Sequence, residues 1–339
     1  MKYIDFRSDT VTKPSKEMLE TIFNHQYDDD VFEDDQTIKS LEKKVATLLG
    51  KESALFVPSG TFSNQLALFV HAQRGEEVIV DQNSHIKVFE SGASAVIAGV
   101  QLYTMESDYG YFDLDKLKAT ISESNIFTAR TALICLENAY NGKVLTKEYL
   151  DQVCEIAHAK KIPVHLDGAR LFNATTFLGI SAKKLVENID TVSICLSKGL
   201  GAPIGSLLVG SHVFIEKARL KRKLLGGGMR QVGVLGAMGI YALENNIEKI
   251  SIDHSNAAYL TEKLETLPFV TIDYKQRDIN MVFCKFNHSK KGLEDYLLKN
   301  KIKSLSANGE GIYRFVTHLD IKKSDIDYLF SKIKEFYGG

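Results

Sequence analysis

Short apolar runs that end in small or acidic residues alternate with helical patterns along this chain, and that alternation constrains its fold more than any other feature. Ala54–Val57 precedes Thr61–Ala72, Glu77–Val80 precedes His85–Ala98, and Thr131–Leu136 precedes Lys147–Lys160. Ile162–Leu166 and Thr191–Leu196 continue the series. Parallel strands need a long crossover between them, commonly a helix. The pattern therefore predicts an α/β fold, a mostly parallel sheet with helices on both faces. Such sheets bind ligands at the carboxyl ends of their strands.

The texture changes after residue 245. A helical stretch over Ile250–Leu267 leads to apolar runs at Phe269–Tyr274 and Met281–Phe286. A helical Gly292–Asn300, a strand-like Ile312–Thr317 and a last helix from Ser324 to Tyr337 follow. We expect a large domain with an N-terminal arm over residues 1–245 and a small α+β domain over 246–339. Two domains suit 339 residues at roughly 150 residues each.

Composition adds exclusions. With 42 Lys+Arg against 43 Asp+Glu there is no basic excess for a nucleic-acid partner. The charged start Met1–Asp9 does not read as a secretory leader. The weakly polar stretch from about Thr191 to Phe214 contains Lys198 and is broken by Gly199, Gly201, Pro203 and Gly205. It reads as two short buried strands, not a membrane span. Cys135, Cys154, Cys195 and Cys284 form no CxxC pair, so a reducing compartment, the cytoplasm, is expected.

Five places carry chemistry. Pro58–Asn64 runs from a strand through Gly60 into a helix, and Ser59, Gly60 and Thr61 can form a phosphate cup from helix N-terminal amides. Simple capping explains the same residues. Ile162–Leu166 ends in Asp167, which is either an N-cap or an acid aimed into the cleft. Ser193–Leu196 ends in Ser197-Lys198-Gly199; a lysine there either snorkels or serves as a Schiff-base nucleophile. His85 follows the strand Val78–Val80 and offers a ring to stack. Arg314 lies in an otherwise apolar strand, where it forms a structural ion pair or grips a carboxylate bidentately. Together these fit pyridoxal phosphate. The order is a phosphate cup, a strand-end Asp to pair with the pyridinium nitrogen, and a strand-end Lys 31 residues later to hold the aldehyde.

These residues resemble the low-specificity L-threonine aldolases, a family of pyridoxal-phosphate enzymes with the aspartate-aminotransferase-like fold. The resemblance runs through Phe6–Pro14, Leu55–Thr61, Ser84–Ile86, Asp167–Asn173, Leu196–Gly199, Gly226–Gln231 and Arg314–His318. It implies retro-aldol cleavage of a β-hydroxy-α-amino acid, threonine or allo-threonine to glycine and acetaldehyde. It gives Lys198 and His85 catalytic roles, and assigns Ser59, Gly60, Thr61, His85, Asp167, Arg170, Lys198 and Arg230 to the cofactor. Ser8, Arg170, Arg314 and Lys223 fall to the substrate, with no metal ligand assigned. It also implies a homotetramer, a dimer of dimers in which Lys223 and Arg230 reach a neighbour's site. Alternatives on the same cofactor are β-elimination and racemisation; a non-catalytic binding protein is the remaining one. Three positions depart from the family pattern. Phe127 and Tyr140 stand where relatives carry histidines, and Phe32 stands where they carry a tyrosine.

Overall fold

The protein, described from a computed structural model over residues 3–288 and 290–338, contains these strands. They are β1 (Ile4–Asp5), β2 (Ser53–Val57), β3 (Glu77–Asp81), β4 (Gln101–Met105), β5 (Thr131–Glu137), β6 (Val164–Gly168), β7 (Thr191–Cys195) and β8 (Ser206–Gly210), then β9 (Val270–Ile272), β10 (Met281–Phe286), β11 (Ile302–Lys303) and β12 (Ile312–Val316). A seven-stranded sheet has the order β2-β8-β7-β6-β5-β3-β4. Strand β8 runs antiparallel to both neighbours, and the other pairings are parallel. The fold is thus α/β with a mostly parallel central sheet, as the alternation predicts.

Both sheet faces are covered because the strands are apolar on both sides. In β2, Ala54 and Phe56 face the core that includes Ile38, Leu41, Val45 and Leu49 of the helix Gln36–Leu49. Leu55 and Val57 face a second core with Leu66, Phe214, Ile215 and Ala218, from the helices Gly60–His71 and His212–Leu224. The helix Gln36–Leu49 starts where the Asp35 carboxylate accepts the Thr37 and Ile38 amides, and Gly50 ends it at φ +64°. Among the described residues no helix is long and apolar enough to cross a membrane.

Two local expectations fail. Residues 85–98 are not one helix: a helical turn spans His85–Val88 and a short irregular helix spans Ser94–Ala98. Between them Ser91 and Gly92 take positive φ of 53° and 73°, which a continuous helix forbids. Strand β4 has no apolar run to signal it in the sequence, because it is an edge strand with only Met105 buried.

After the helix Ile250–Glu265, an antiparallel sheet β12-β10-β9 forms. Val282, Cys284 and Phe315 face a core with Leu260, Leu264, Ile326, Leu329 and Ile333. Met281, Phe283 and Val316 turn the other way, toward the larger core. Alternation puts Arg314 on this second face, opposite Phe283. Strand β1 pairs in parallel with β11, Phe6 accepts a bond from the Val316 amide, and its ring meets Phe315 edge-on at 6.3 Å. The chain's beginning is thereby laid alongside β12.

Candidate active site

Strands β5, β6 and β7 end side by side at the carboxyl edge of the sheet. In the β5–β6 register Glu137 stands opposite Asp167, so both carboxylates leave the same face. Asp167 is buried; its Oδ1 accepts the Ala169 amide at 3.1 Å and its Oδ2 accepts Asn64 Nδ2 at 2.6 Å. Lys198 follows β7 on a tight turn. Its carbonyl accepts bonds from Gly201 N at 2.8 Å and Thr12 Oγ1 at 2.9 Å. Among the described residues its amine has no hydrogen-bond or ion-pair partner. Glycine is required close by: Gly205 has φ +113°, and a Cβ there would sit 2.4 Å from the Phe56 ring.

His85 opens the helical turn after β3. Its amide donates to Glu137 Oε2 at 2.8 Å, and its Nδ1 lies 2.8 Å from Glu90 Oε1. The hydrogen bond to Glu90 raises the imidazole above its ordinary value against the opposing effect of burial; Asp167 and Glu137 add to the rise. Glu137 itself is pushed up to about 7, first by burial and then by Asp167, with the His85 amide, the His85 ring and Lys198 opposing. Nitrogen and oxygen atoms of His85, Glu90 and Asp167 all lie within 4.8 Å of one another. The Asn64 amide nitrogen sits between the two carboxylates, 2.9 Å from Glu90 and 2.6 Å from Asp167. A donor in that gap disfavours a cation.

A second cluster joins both ends of the chain. Arg170 binds Asp9 through Nε at 2.8 Å and Nη2 at 2.6 Å. Burial would raise Asp9, but the charge and bonds of Arg170, with Lys198 and His318 adding, hold it well below the usual carboxylate range. Arg314 approaches from β12 and donates from Nη2 to the Arg7 carbonyl at 3.2 Å, while its buried Nε has no partner. Burial pulls the Arg314 pKa down, Arg170 pulls it further, and Asp9 opposes. Arg170 holds the Asp9 carboxylate while Arg314 adds a second guanidinium with no carboxylate bonded to it, and this surplus positive charge favours an anion there. Ser8 donates to Asp9 Oδ1 at 3.3 Å at the rim of this cluster.

At the expected phosphate cup, Ser59 Oγ accepts the Phe62 amide at 3.2 Å and so caps its helix. The Gly60 and Thr61 amides have no partner among the described residues. A Cβ on Gly60 would lie 2.8 Å from Cys195 Sγ, so only glycine fits there. Unpartnered amides, a buried strand-end carboxylate, a free amine and a surplus arginine form a donor set that fits an anionic aromatic aldehyde bearing a phosphate. Lys223 and Arg230 are not brought to this set within one chain: both are exposed, and Arg230 pairs with Asp29 at 2.9 Å. Beside Lys223, Arg222 is buried, donating to Asp30 at 2.7 Å and to the Phe56 carbonyl. Of the departing positions, Tyr140 is buried with its hydroxyl on Asp81 at 2.8 Å, while Phe127 and Phe32 are 91% and 72% exposed.

Nothing in the sequence pattern by itself marks Asp9, Asn64, Glu90, Glu137 or His165 as site residues. Asp9 lies inside the Phe6–Pro14 motif, which was its one signal. Glu90 was hidden by the expected helix, which would place it roughly 140° around from His85. The break after Val88 folds it back instead.

The buried titratable groups set an expectation for the cofactor-free protein. Burial pulls His71 to about 3, and His165 and His254 to about 4. Their folded values lie below the unfolded 6.5, so stability is lost as pH falls from 6.5 toward 4. Glu137 and Asp253 are pushed up to about 7 and about 8, first by burial. Their contribution is present below the unfolded carboxylate values and lost as pH rises through 7 and 8. His85, raised by Glu90, acts in the same sense. Thermal stability should therefore peak at about pH 6.5, and Asp253→Asn should flatten the fall above it. Melting curves across the pH range check this; stability still climbing through pH 8 would refute it.

The family model described as beta-eliminating lyase matches residues 5–287. The low specificity L-threonine aldolase of Escherichia coli K12 is 43% identical over 325 residues, covering 95% of this chain and 96% of its own. The low-specificity L-threonine aldolase 1 of Arabidopsis thaliana is 43% identical over 342 residues, covering 98% and 95%. The solved threonine aldolase of Leishmania major superposes with a TM-score of 0.86 at 19% identity, covering 99% of this chain and 100% of that one, which speaks to the fold. The family model and these two full-length relatives show that the chain belongs to the low-specificity L-threonine aldolases within the beta-eliminating lyase family.

Proposed function

We propose that this chain cleaves L-threonine or L-allo-threonine to glycine and acetaldehyde, using the amine of Lys198 and pyridoxal phosphate. The observation that carries the reading is the surplus guanidinium of Arg314, whose buried Nε lacks a partner beside the Arg170–Asp9 pair. That pocket suits an amino-acid carboxylate.

When bound, pyridoxal phosphate supplies an electron sink for the pair left on Cα as the Cα–Cβ bond breaks. Asp167 would pair with its ring nitrogen, the His85 ring would stack on it, Gly60 and Thr61 would take its phosphate with Ser59 at the rim, and Arg170 would lie near its ring oxygen. Arg314, Arg170 and Ser8 would hold the substrate carboxylate and set the angle of the Cα–Cβ bond. His85, directly or through a water, would take the β-hydroxyl proton, leaving the oxygen as the aldehyde carbonyl. A proton returned to Cα completes glycine. Its bond to Glu90 orients His85 and supports the charge it gains.

The match to beta-eliminating lyases supports one second reading, loss of a Cα proton followed by loss of the β-hydroxyl as water, which turns threonine into 2-oxobutyrate and ammonia. Incubation of each threonine diastereomer with added pyridoxal phosphate separates the two. Glycine and acetaldehyde in equal amounts are expected; 2-oxobutyrate and ammonia without glycine would overturn the aldolase reading.

We assign the protein to the cytoplasm, supported by four free, buried cysteines. We also assign a homotetramer, supported by exposed apolar side chains such as Phe89, Val96, Leu220 and Leu224. In it Lys223 and Arg230 would face a neighbour's cleft. Light scattering should give four times the mass of one chain; a monomer would rule the assembly out.

A further inference from the structure

Behind Asp167 lies a line of buried polar groups that the cleavage chemistry does not touch. Asn64 Nδ2 faces carboxylate oxygens of Asp167 and Glu90. An amide oxygen in that place would be repelled by both, so the amide orientation is settled. Asn64 Oδ1 then faces His165 Nε2 at 3.2 Å and can only accept, so Nε2 carries a proton. Burial keeps the His165 ring neutral near pH 7, against the opposing influence of Asp167 and of the Thr191 backbone. Its Nδ1 is therefore bare, and Thr191 Oγ1 at 3.0 Å donates to it. Having given its one proton, Thr191 accepts from His71 Nε2, also at 3.0 Å. Every donor in the line points toward Asp167.

The line is enclosed. Asn64, His165 and Thr191 are each at most 1% exposed, and the His71 ring stacks on Phe214 at 4.5 Å. An aliphatic residue would fill a buried strand position such as 165 without the burden of burying two ring nitrogens. The register explains the meeting. His165 pairs with Thr191 across β6 and β7, and sits two residues before Asp167 on the same face.

We propose that His165 is a positioning residue. Its Nε2–H, set by the Thr191 hydroxyl behind it, locks the Asn64 amide so that both amide protons reach Asp167 and Glu90, and this holds Asp167 in place to pair with the cofactor ring nitrogen. The proposal rests on the role given to Asp167 above. The charged and titratable groups around Asp167 are Glu90 and His85 after β3, Glu137 and Cys135 on β5, and Lys198 after β7. His165 faces Asp167 and His71 besides Thr191 and Ser193, whose Oγ lies 3.5 Å from Nε2.

The first test needs no cofactor and no activity. A solid-state 15N spectrum of the histidine-labelled apoprotein near pH 7, with the signal assigned by its loss in His165→Gln, should show His165 neutral with the proton on Nε2. A proton on Nδ1, or a charged ring, would overturn the proposal, whatever reaction the enzyme runs. The second test compares His165→Leu with His165→Gln in the holoenzyme. Leucine leaves the Asn64 oxygen buried and unpaired, so kcat for threonine cleavage should fall about tenfold while KM stays within about twofold. The visible band of the bound cofactor should titrate at a shifted pH. Glutamine, which can donate to Asn64, should restore part of both. A folded His165→Leu enzyme with unchanged kcat and band titration would refute the role. Should that variant fail to fold, the tautomer in the unmutated protein decides.

Discussion

Replacing Lys198 with alanine should leave a folded protein that no longer develops the visible absorbance of a lysine-bound cofactor and no longer cleaves threonine. The fall in glycine release should be on the order of a thousandfold or more, as when a covalent catalyst is removed. The structure separates this loss from a folding defect. Lys198 is held in place by its backbone, through Thr12 Oγ1 and the Gly201 amide, and its amine has no partner among the described residues. Truncating the side chain therefore breaks no hydrogen bond or ion pair among the described residues, and the apoprotein should still fold. Retained colour and cleavage in Lys198→Ala would place the reactive amine elsewhere.

Arg314→Leu should show the opposite combination, weaker catalysis with equal or greater stability. The side chain lies on the face of β12 turned toward the larger core, with its Nε buried and unpaired beside Arg170. Holding a second guanidinium there is unfavourable without an anion, and leucine removes that strain on the apoprotein. The substrate carboxylate loses its charged partner in exchange. A hydrogen bond to a charged group is worth about 1.5–3 kcal/mol, so KM for threonine should rise on the order of 10- to 100-fold for each bond lost. Kinetics and melting of one variant test both halves. A lower melting temperature with unchanged KM would mean that Arg314 braces the fold and does not bind substrate.

Much of the site could be read in one dimension because its members stand at strand ends. Asp167 and Lys198 follow apolar runs that only a covered, mostly parallel sheet explains, and Arg314 interrupts an apolar run in the small antiparallel sheet. Their spacing along the chain follows from the length of a strand plus its crossover. The residues that were missed are of another kind. Asp9 becomes Arg170's partner because β1 is laid against β11 and Phe6 against Val316, a pairing between the two ends of the chain. Glu90 reaches His85 because the helical turn stops at Val88, short of the Ala98 to which the apolar pattern extends it.

The sequence alone thus determined the α/β architecture and the groups at the sheet's carboxyl edge, since hydrophobic period and strand-end chemistry are local properties. The tertiary structure alone decided how those groups are charged and aimed. It set Asp9 against Arg170 and left Arg314 without a carboxylate, put Asn64 between Asp167 and Glu90, and aligned His165 and Thr191 behind them. Electrostatic and hydrogen-bond partners in a low-dielectric interior are chosen by distance in space, and no period along the chain encodes that distance.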